Sequence, residues 1–154
     1  MGKVLQQSCI DEVYFLYFCT KNMTEMNDFQ FQFEKLDTWK ESRKLVVQVY
    51  KLLEKFTKTE QYALCDQLRR AAISIPSNIA EGSGRMAIKE YVHFLEIAFG
   101  SLMEVYCQLQ IAVDLGYITN EDLHGIKPLV FSISRMLSRL RTAKLAQLDN
   151  KGNG

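Results

Sequence analysis

Apolar residues recur at spacings of three and four along most of the chain after residue 37, which is the period of an amphipathic helix. Four such segments follow one another, separated by short stretches that contain Thr, Gly or Asn. None of the segments shows the strict alternation of apolar and polar residues that marks a half-buried strand. The pattern predicts an all-α fold, an antiparallel up-down four-helix bundle over residues 34–146.

The first two predicted helices have recognisable starts. Thr38 and Glu41 form a T-x-x-E capping box, which would satisfy two backbone donors at the start of the first helix. The second helix is expected to run from Glu60 to about Glu81, with Thr59 as its N-cap.

The second predicted helix also contains Pro76, which lacks a backbone N–H and should kink the helix or loosen one turn. Gly82 and Gly84 are expected to end this helix in left-handed conformations, because glycine adopts a positive φ at little steric cost.

The third predicted helix runs from about Met86 to Leu115, with Gly116 as its C-terminal cap. The fourth begins after Thr119, where T-x-x-D gives another capping signature. One interpretation makes Pro128 the first residue of its regular part, preceded by a short turn.

The first and third predicted helices carry more apolar residues than one core stripe needs. On the third helix, Phe94, Phe99, Tyr106 and Ile111 lie outside the seam that faces the core. Since a monomeric bundle needs one apolar stripe per helix, the surplus predicts an interface and therefore self-association.

Length and composition fit one globular domain, with 154 residues, 47% hydrophobic and 24% charged. Residues 1–33 lack a sustained helical period and are expected to form a weakly ordered N-terminal extension, with Met26 as an alternative natural start. Residues 147–154 are expected to form a flexible tail.

Several classes of function have little support in the residues. The four cysteines are far apart, which is typical of thiols in a reducing, cytoplasmic compartment. His93 and His124 have no local Cys or His partner, so no metal or other cofactor is expected. The apolar run at 13–19 is too short to span a bilayer, so we expect no membrane insertion.

No catalytic arrangement stands out. The chain has no G-x-S-x-G motif. Its one E-x-x-H pair, Glu90 and His93, is half of what a di-metal bundle requires. Gly82 and Gly84 are not followed by the Lys-Ser/Thr of a P-loop. We therefore predict a protein without catalytic residues that is not an enzyme.

A polar stripe on the second predicted helix has two interpretations. It could be a ligand or partner surface, or its side chains could satisfy backbone groups near Pro76 while Glu81 pairs with Arg70 or Arg85. The structural interpretation is favoured. The stripe consists of Arg70, Ser74, Ser77, Asn78 and Glu81. The structural motif consists of Arg70, Ser74, Pro76, Asn78, Glu81 and Gly82.

The net charge of +1 combines −3 over residues 1–37 with +4 over residues 38–146. No acidic residue lies between Asp122 and Asp149, where Arg135 and Arg139 face away from the core stripe. These cations could contact phosphates, or they could form a solvated face that complements the helix dipole. The solvated face is the favoured interpretation, because no aromatic residue that could stack a base is expected among these cations.

The segment QLRRAAISIPSNIAEG at 67–82, followed by Gly84-Arg85, FLEIA at 94–98 and GSLME at 100–104, is distinctive. It resembles the four-helix-bundle family encoded in intervening sequences of bacterial 23S rRNA genes, over roughly residues 31–145. The resemblance implies a ring-like homopentamer. Family members are similar to the accessory protein of diversity-generating retroelements, a basic barrel that binds its reverse transcriptase and nucleic acid, whereas this chain is nearly neutral.

Together these features predict a non-enzymatic homo-oligomer, an accessory or scaffold that engages RNA or an RNA-bound protein. The alternative is a protein-interaction module without nucleic-acid affinity, and an enzyme ranks last. The candidate nucleic-acid-binding residues are Arg69, Arg70, Arg85, Lys89, Arg135 and Arg139.

Overall fold

The computed structural model describes residues 29–57 and 63–152, with no description of the side chains of 149–152. The chain divides into two compact units, residues 1–31 and 32–154. In the described part of the first unit, the rings of Phe29 and Phe31 meet edge to face with centroids 5.1 Å apart. The apolar run at 13–19 lies outside the described residues.

The second unit is built from a 3-10 turn and four α-helices. The turn spans Gln32–Lys35. The helices are α1 (Asp37–Leu53), α2 (Leu64–Ser83), α3 (Ile88–Asp114) and α4 (Asn120–Gly152). Each helix packs on the next, and α1 also packs on α4, which closes the ring of an antiparallel bundle. The predicted fold class is confirmed.

The core follows the predicted helical stripes. Leucine, isoleucine, valine and alanine side chains from all four helices are almost fully buried in it, each stabilising the bundle by removing apolar surface from water. The central residues include Leu45, Val49, Leu68, Ile75, Leu95, Leu102, Leu109, Ile133 and Leu137. None of the helices within the described ranges is both long and apolar enough to cross a membrane.

The start of α1 differs from the prediction. The helix begins at Asp37, after Leu36 in an extended conformation, and no described side chain caps it. Thr38 is buried one residue inside the helix, and Glu41 pairs with Lys44 instead. The predicted capping box is therefore wrong, because a capping threonine must precede the helix in an extended conformation.

The second helix begins at Leu64 rather than Glu60, since Ala63 before it has a non-helical backbone (φ −115°, ψ −103°). The proposed cap Thr59 and Glu60 itself lie outside the described residues. The third helix begins at Ile88, two residues after the predicted Met86.

The connection between α3 and α4 confirms two predictions. Gly116 has φ of 74°, and its N–H and that of Tyr117 bind the carbonyls of Val113 and Ala112, the pattern of a Schellman cap. At the start of α4, Thr119 N–H donates to Asp122 Oδ2 (3.1 Å) while Asp122 N–H donates to Thr119 Oγ1 (3.2 Å).

Asp122 of this capping pair also forms an ion pair with a residue outside α4. Lys55, just after α1, lies 2.7 Å from Asp122. Its hydrogen bond and that of Thr119 N–H lower the pKa of the Asp122 carboxyl. The helix then continues through Pro128. The interpretation of Pro128 as the first regular residue is wrong, because the capping pair already starts the helix at Asn120.

Candidate functional site

Pro76 lies inside α2, where it supplies no N–H to the helix ladder. Two side chains after it bind backbone carbonyls before it. Ser77 Oγ donates to the Ile73 carbonyl (2.9 Å), and Asn78 Nδ2 donates to the Ser74 carbonyl (2.8 Å). Both bonds are local and lie near Pro76, but neither goes to the carbonyl of Ala72, which is the one that loses its i−4 donor to the proline.

The same stripe also connects α2 to α3. Ser74 Oγ lies 2.8 Å from Ser101 Oγ on α3, Asn78 Nδ2 donates to Ser74 Oγ (2.9 Å), and Ser101 Oγ donates to the Ile97 carbonyl (3.0 Å). One assignment of protons satisfies the whole chain of bonds from Asn78 through Ser74 and Ser101 to Ile97. We call Ser74, Asn78 and Ser101 the polar seam.

Gly82 marks a close approach of α2 to α3. A Cβ atom at this position would lie 2.8 Å from Phe94 Cβ and 2.9 Å from Tyr91 Cδ2. Gly82 is helical, and Gly84 has φ of −85°, so the predicted left-handed conformation of both residues is wrong. The physical reason for glycine at 82 is the short distance between helices, which leaves no room for a side chain.

The charged residues at this end of α2 interact with each other. Glu81 forms an ion pair with Arg85, and the Arg85 guanidinium carbon lies 4.8 Å from the Phe94 ring centroid. Of the two partners predicted for Glu81, the structure therefore selects Arg85. Arg70 is exposed and has no ion-pair partner among the described residues.

The cations of α4 fall into two groups. Those that face α3 are engaged: Arg141 pairs with Glu96 (2.7 Å), and Lys144 Nζ lies 4.8 Å from the Tyr91 ring centroid. Burial raises the pKa of the Tyr91 phenol, so this group is protonated at neutral pH.

The second group lies on the outer side of α4. Lys127, Arg135 and Arg139 are exposed, and no acidic side chain in the described part of the chain pairs with them. Phe131 is 61% exposed, and the Arg135 guanidinium carbon lies 5.8 Å from its ring centroid. We call Lys127, Phe131, Arg135 and Arg139 the α4 basic face.

The six cations predicted from sequence do not form one surface. Arg69 and Arg70 lie on α2, and no described Cα atom of α2 comes within 8 Å of α4, which carries Arg135 and Arg139. Arg69 also pairs with Asp66 (3.0 Å). The remaining two, Arg85 and Lys89, lie at the connection between α2 and α3.

An open groove of about 240 Å³ lies between α3 and α4. Its lining is mostly apolar, with the ion pair of Glu96 and Arg141 at one side. The lining residues are Leu95, Glu96, Phe99, Leu137, Ser138 and Arg141. The groove could therefore hold an apolar group, whereas its two charged residues, Glu96 and Arg141, already neutralise each other.

The histidines do not form a metal site within the described ranges. No group of three or more His, Cys, Asp or Glu side chains is placed there to hold a metal ion. His124 Nδ1 lies 2.7 Å from the Asn120 carbonyl of its own helix, and His93 lies beside the ring of Phe94. Both histidines thus have local structural environments.

The sequence interpretation missed two residues. Ser101 forms the α3 half of the polar seam, which only the register between two helices can reveal. Phe131 lies between Lys127 and Arg135, so the statement that no aromatic residue is interleaved with the α4 cations is wrong. The signal was its position one residue after the core residue Val130, which turns it away from the bundle.

Comparisons with known proteins agree with this architecture. A family model described as 23S rRNA-intervening sequence protein matches residues 34–139. A crystal structure of a protein with unknown function from the S23 ribosomal protein family of Bacteroides thetaiotaomicron has a TM-score of 0.61 and 22% identity. That similarity covers 68% of this chain and 97% of the other and shows the shared fold. No match occurs among curated proteins. Because the family match spans more than half of its length, the chain belongs to the 23S rRNA-intervening sequence protein family.

Proposed function

We propose that this protein is a non-enzymatic, homo-oligomeric accessory or scaffold of the cytoplasm that associates with RNA or an RNA-bound protein. The observation that carries the proposal is the apolar surface that α3 leaves outside the bundle. Four large apolar side chains of this helix and that of Leu115, the residue after it, are between 36% and 57% exposed. They are Ile97, Phe99, Met103, Ile111 and Leu115.

Four of these side chains form two pairs, each one helical turn apart: Phe99 with Met103, and Ile111 with Leu115. The exposed apolar residues are therefore clustered rather than scattered singly. When a second copy covers such side chains, each Å² of apolar surface removed from water stabilises the contact by about 25 cal/mol. Five copies in a ring is the stoichiometry that the family resemblance implies.

Light scattering of the purified chain at micromolar concentration tests self-association. We expect a mass several times that of one subunit, five times if the ring forms. The double variant Ile97→Glu/Ile111→Glu should shift the mass towards the monomer, because it would bury charge in the interface. Gln147→Glu on exposed α4 surface is the control and should leave the mass unchanged. A monomeric wild-type chain would contradict the proposal.

The α4 basic face supports the nucleic-acid part of the proposal. Its three cations have no described acidic partners to displace, whereas Arg69 and Arg85 are already paired. In an oligomer the face is repeated in every copy, so a weak contact per copy gains strength through multivalency. We therefore centre the proposed site on Arg135 and Arg139, with Lys127 added to it. Arg70 and Lys89 are also exposed without a described acidic partner, but they lie on α2 and α3.

A gel-shift titration with a structured RNA over a salt series tests this part. Binding through phosphates must weaken steeply with salt, since each phosphate contact releases a counterion. Arg135→Gln/Arg139→Gln should weaken binding and flatten the salt dependence. Its control is Arg43→Gln, an exposed arginine of α1 that lies over the Trp39 ring and is not among the predicted site residues.

The alternative is a protein-interaction module without affinity for nucleic acid. The observation that favours it is the chain's nearly neutral charge of +1, together with the apolar groove between α3 and α4. Absence of RNA binding at low salt, with self-association retained, would establish this alternative over the RNA-associated function.

A further inference from the structure

The α4 basic face combines positive charge with an exposed aromatic ring. Its members recur every four residues, as Lys127, Phe131, Arg135 and Arg139. With 1.5 Å of rise per residue they form a row about 18 Å long, which moves about 40° around the helix at each step. The row therefore presents a cation, a ring and two more cations in linear order.

The Phe131 side chain lies mostly outside the core. Val130 and Ile133 on either side are buried, whereas the Phe131 ring is 61% exposed. Keeping a ring of this size in water forgoes the free energy that its burial would release. The guanidinium carbon of Arg135 lies 5.8 Å from the centroid of the Phe131 ring. A flat surface next to this cation is suited to stacking a planar group.

The charge of the face favours a polyanion as the occupant. No acidic residue occurs between Asp122 and Asp149, so no carboxylate within this stretch of α4 competes with phosphates for the cations of the face. A second copy of the chain is disfavoured here, because covering Arg135 and Arg139 with an apolar surface would bury charge without a partner.

The exposed ring distinguishes a single strand from a duplex. In a duplex the base faces are covered by their neighbours, so only the cations could make contact. In a single strand the unpaired bases offer their faces for stacking while the phosphates reach the cations. We propose that the α4 basic face binds a single-stranded RNA segment, with a base stacked on Phe131 and phosphates on Lys127, Arg135 and Arg139. The inference rests on the RNA-associated function proposed above.

Fluorescence anisotropy of a labelled uridine 12-mer and of a labelled blunt-ended RNA duplex, with the full chain at low salt, tests the inference. Phe131→Leu keeps an apolar side chain but removes the ring. It should weaken binding of the 12-mer about 5- to 150-fold, the range for one lost base stack, and leave binding of the duplex within threefold. Phe131→Trp should bind the 12-mer at least as tightly as the wild type.

Arg135→Gln/Arg139→Gln should weaken binding of both RNAs, and Arg43→Gln should change neither by more than threefold. We expect a deoxyuridine 12-mer to bind no more tightly than the uridine 12-mer. Tighter binding of the DNA would overturn the assignment to RNA. Light scattering of Phe131→Leu should give the wild-type mass. A lower mass would instead place Phe131 in the contact between copies and overturn the inference.

The two proposals fail in different ways. If Phe131→Leu binds the 12-mer as the wild type does while Arg135→Gln/Arg139→Gln does not, the stacking inference is wrong and RNA association through cations stands. If the wild-type chain binds neither RNA at low salt, the proposed direct association with RNA is wrong as well.

Discussion

The polar seam and the α4 basic face are both polar sets on helices of one bundle, yet their bonding differs. In the polar seam, Asn78, Ser74 and Ser101 pass hydrogen bonds to one another and end at a backbone carbonyl. On the α4 basic face, the cations have no described acidic partner and the Phe131 ring is exposed. Residues of the first kind are used by the fold, and residues of the second kind remain available to a partner.

Burial explains the difference. A hydroxyl between packed helices costs free energy unless it is hydrogen-bonded, so the seam must satisfy itself within the chain. A cation on an outer face stays hydrated and needs no partner for folding. Substitutions in the two regions should therefore have opposite profiles, with stability affected at the α2–α3 contact and ligand binding affected on α4.

The largest effect on stability is expected at Gly82. Gly82→Ala places a methyl group within 3 Å of Phe94 Cβ, an atom tied to the α3 backbone, so the helices must separate locally. Overpacking of this kind costs about 1–3 kcal/mol of unfolding free energy. Urea denaturation followed by circular dichroism measures it.

Gly100→Ala on α3 is the matched control, since nothing lies within 4 Å of a Cβ there. It should leave stability unchanged or raise it by about 0.5–1 kcal/mol, because alanine has the higher helix propensity. Equal stability of the Gly82 and Gly100 variants would show that the close approach of α2 and α3 does not require glycine.

The next largest effect is expected from Ser101→Ala. The change removes the hydroxyl that Ser74 contacts and should cost about 1 kcal/mol of unfolding free energy. Ser138→Ala on α4, whose hydroxyl binds a carbonyl of its own helix, should cost under about 0.5 kcal/mol.

A double-mutant cycle with Ser74→Ala separates this bond from packing changes. We expect the two substitutions to be non-additive by about 0.5 kcal/mol or more, as for residues in one network. Additive effects would mean that the two serines do not act as a connection between α2 and α3.

Asp122 should give a smaller and pH-dependent effect. Its pKa is lowered from the ordinary value of 3.8, first by Lys55 and then by Thr119 N–H. The stabilisation is therefore present above the unfolded pKa and lost as the pH falls through the lower folded value. Asp122→Asn should cost about 0.5 kcal/mol at pH 7, a figure reduced for solvent screening, and progressively less as the pH falls below 3.8. A difference that does not shrink as the pH falls would assign the effect to geometry rather than charge.

The fold was predictable because it rests on local signals. Core stripes such as Leu95, Leu102 and Leu109, and the caps at Gly116 and Thr119, need only helical spacing and turn chemistry. Other features depend on contact between helices. Gly82 looked like a helix terminator because sequence does not report how closely α3 approaches, and the bond between Ser74 and Ser101 depends on register.

The candidate site was predictable only in part for the same reason. Arg135 and Arg139 could be predicted from the charge pattern of one helix. Which of the six predicted cations share a surface depends on how the helices pack, which the sequence does not report. Once α2 and α4 are known to be apart, Arg69 and Arg70 separate from the α4 basic face.

The smallest effect on stability is expected from Arg135→Gln/Arg139→Gln, and it tests the comparison most directly. The two arginines are one turn apart and carry like charge, so removing both charges relieves a weak repulsion while it removes one cation–π contact. These terms are each a few tenths of a kcal/mol at an exposed site, and we expect a net change within about 0.5 kcal/mol. Urea denaturation at low and high salt measures the change in unfolding free energy. Salt screens the repulsion between the two arginines, so the two salt conditions separate it from the lost cation–π contact. A cost above 1 kcal/mol would mean that the α4 basic face, like the polar seam, is required by the fold, and its availability to RNA would no longer follow.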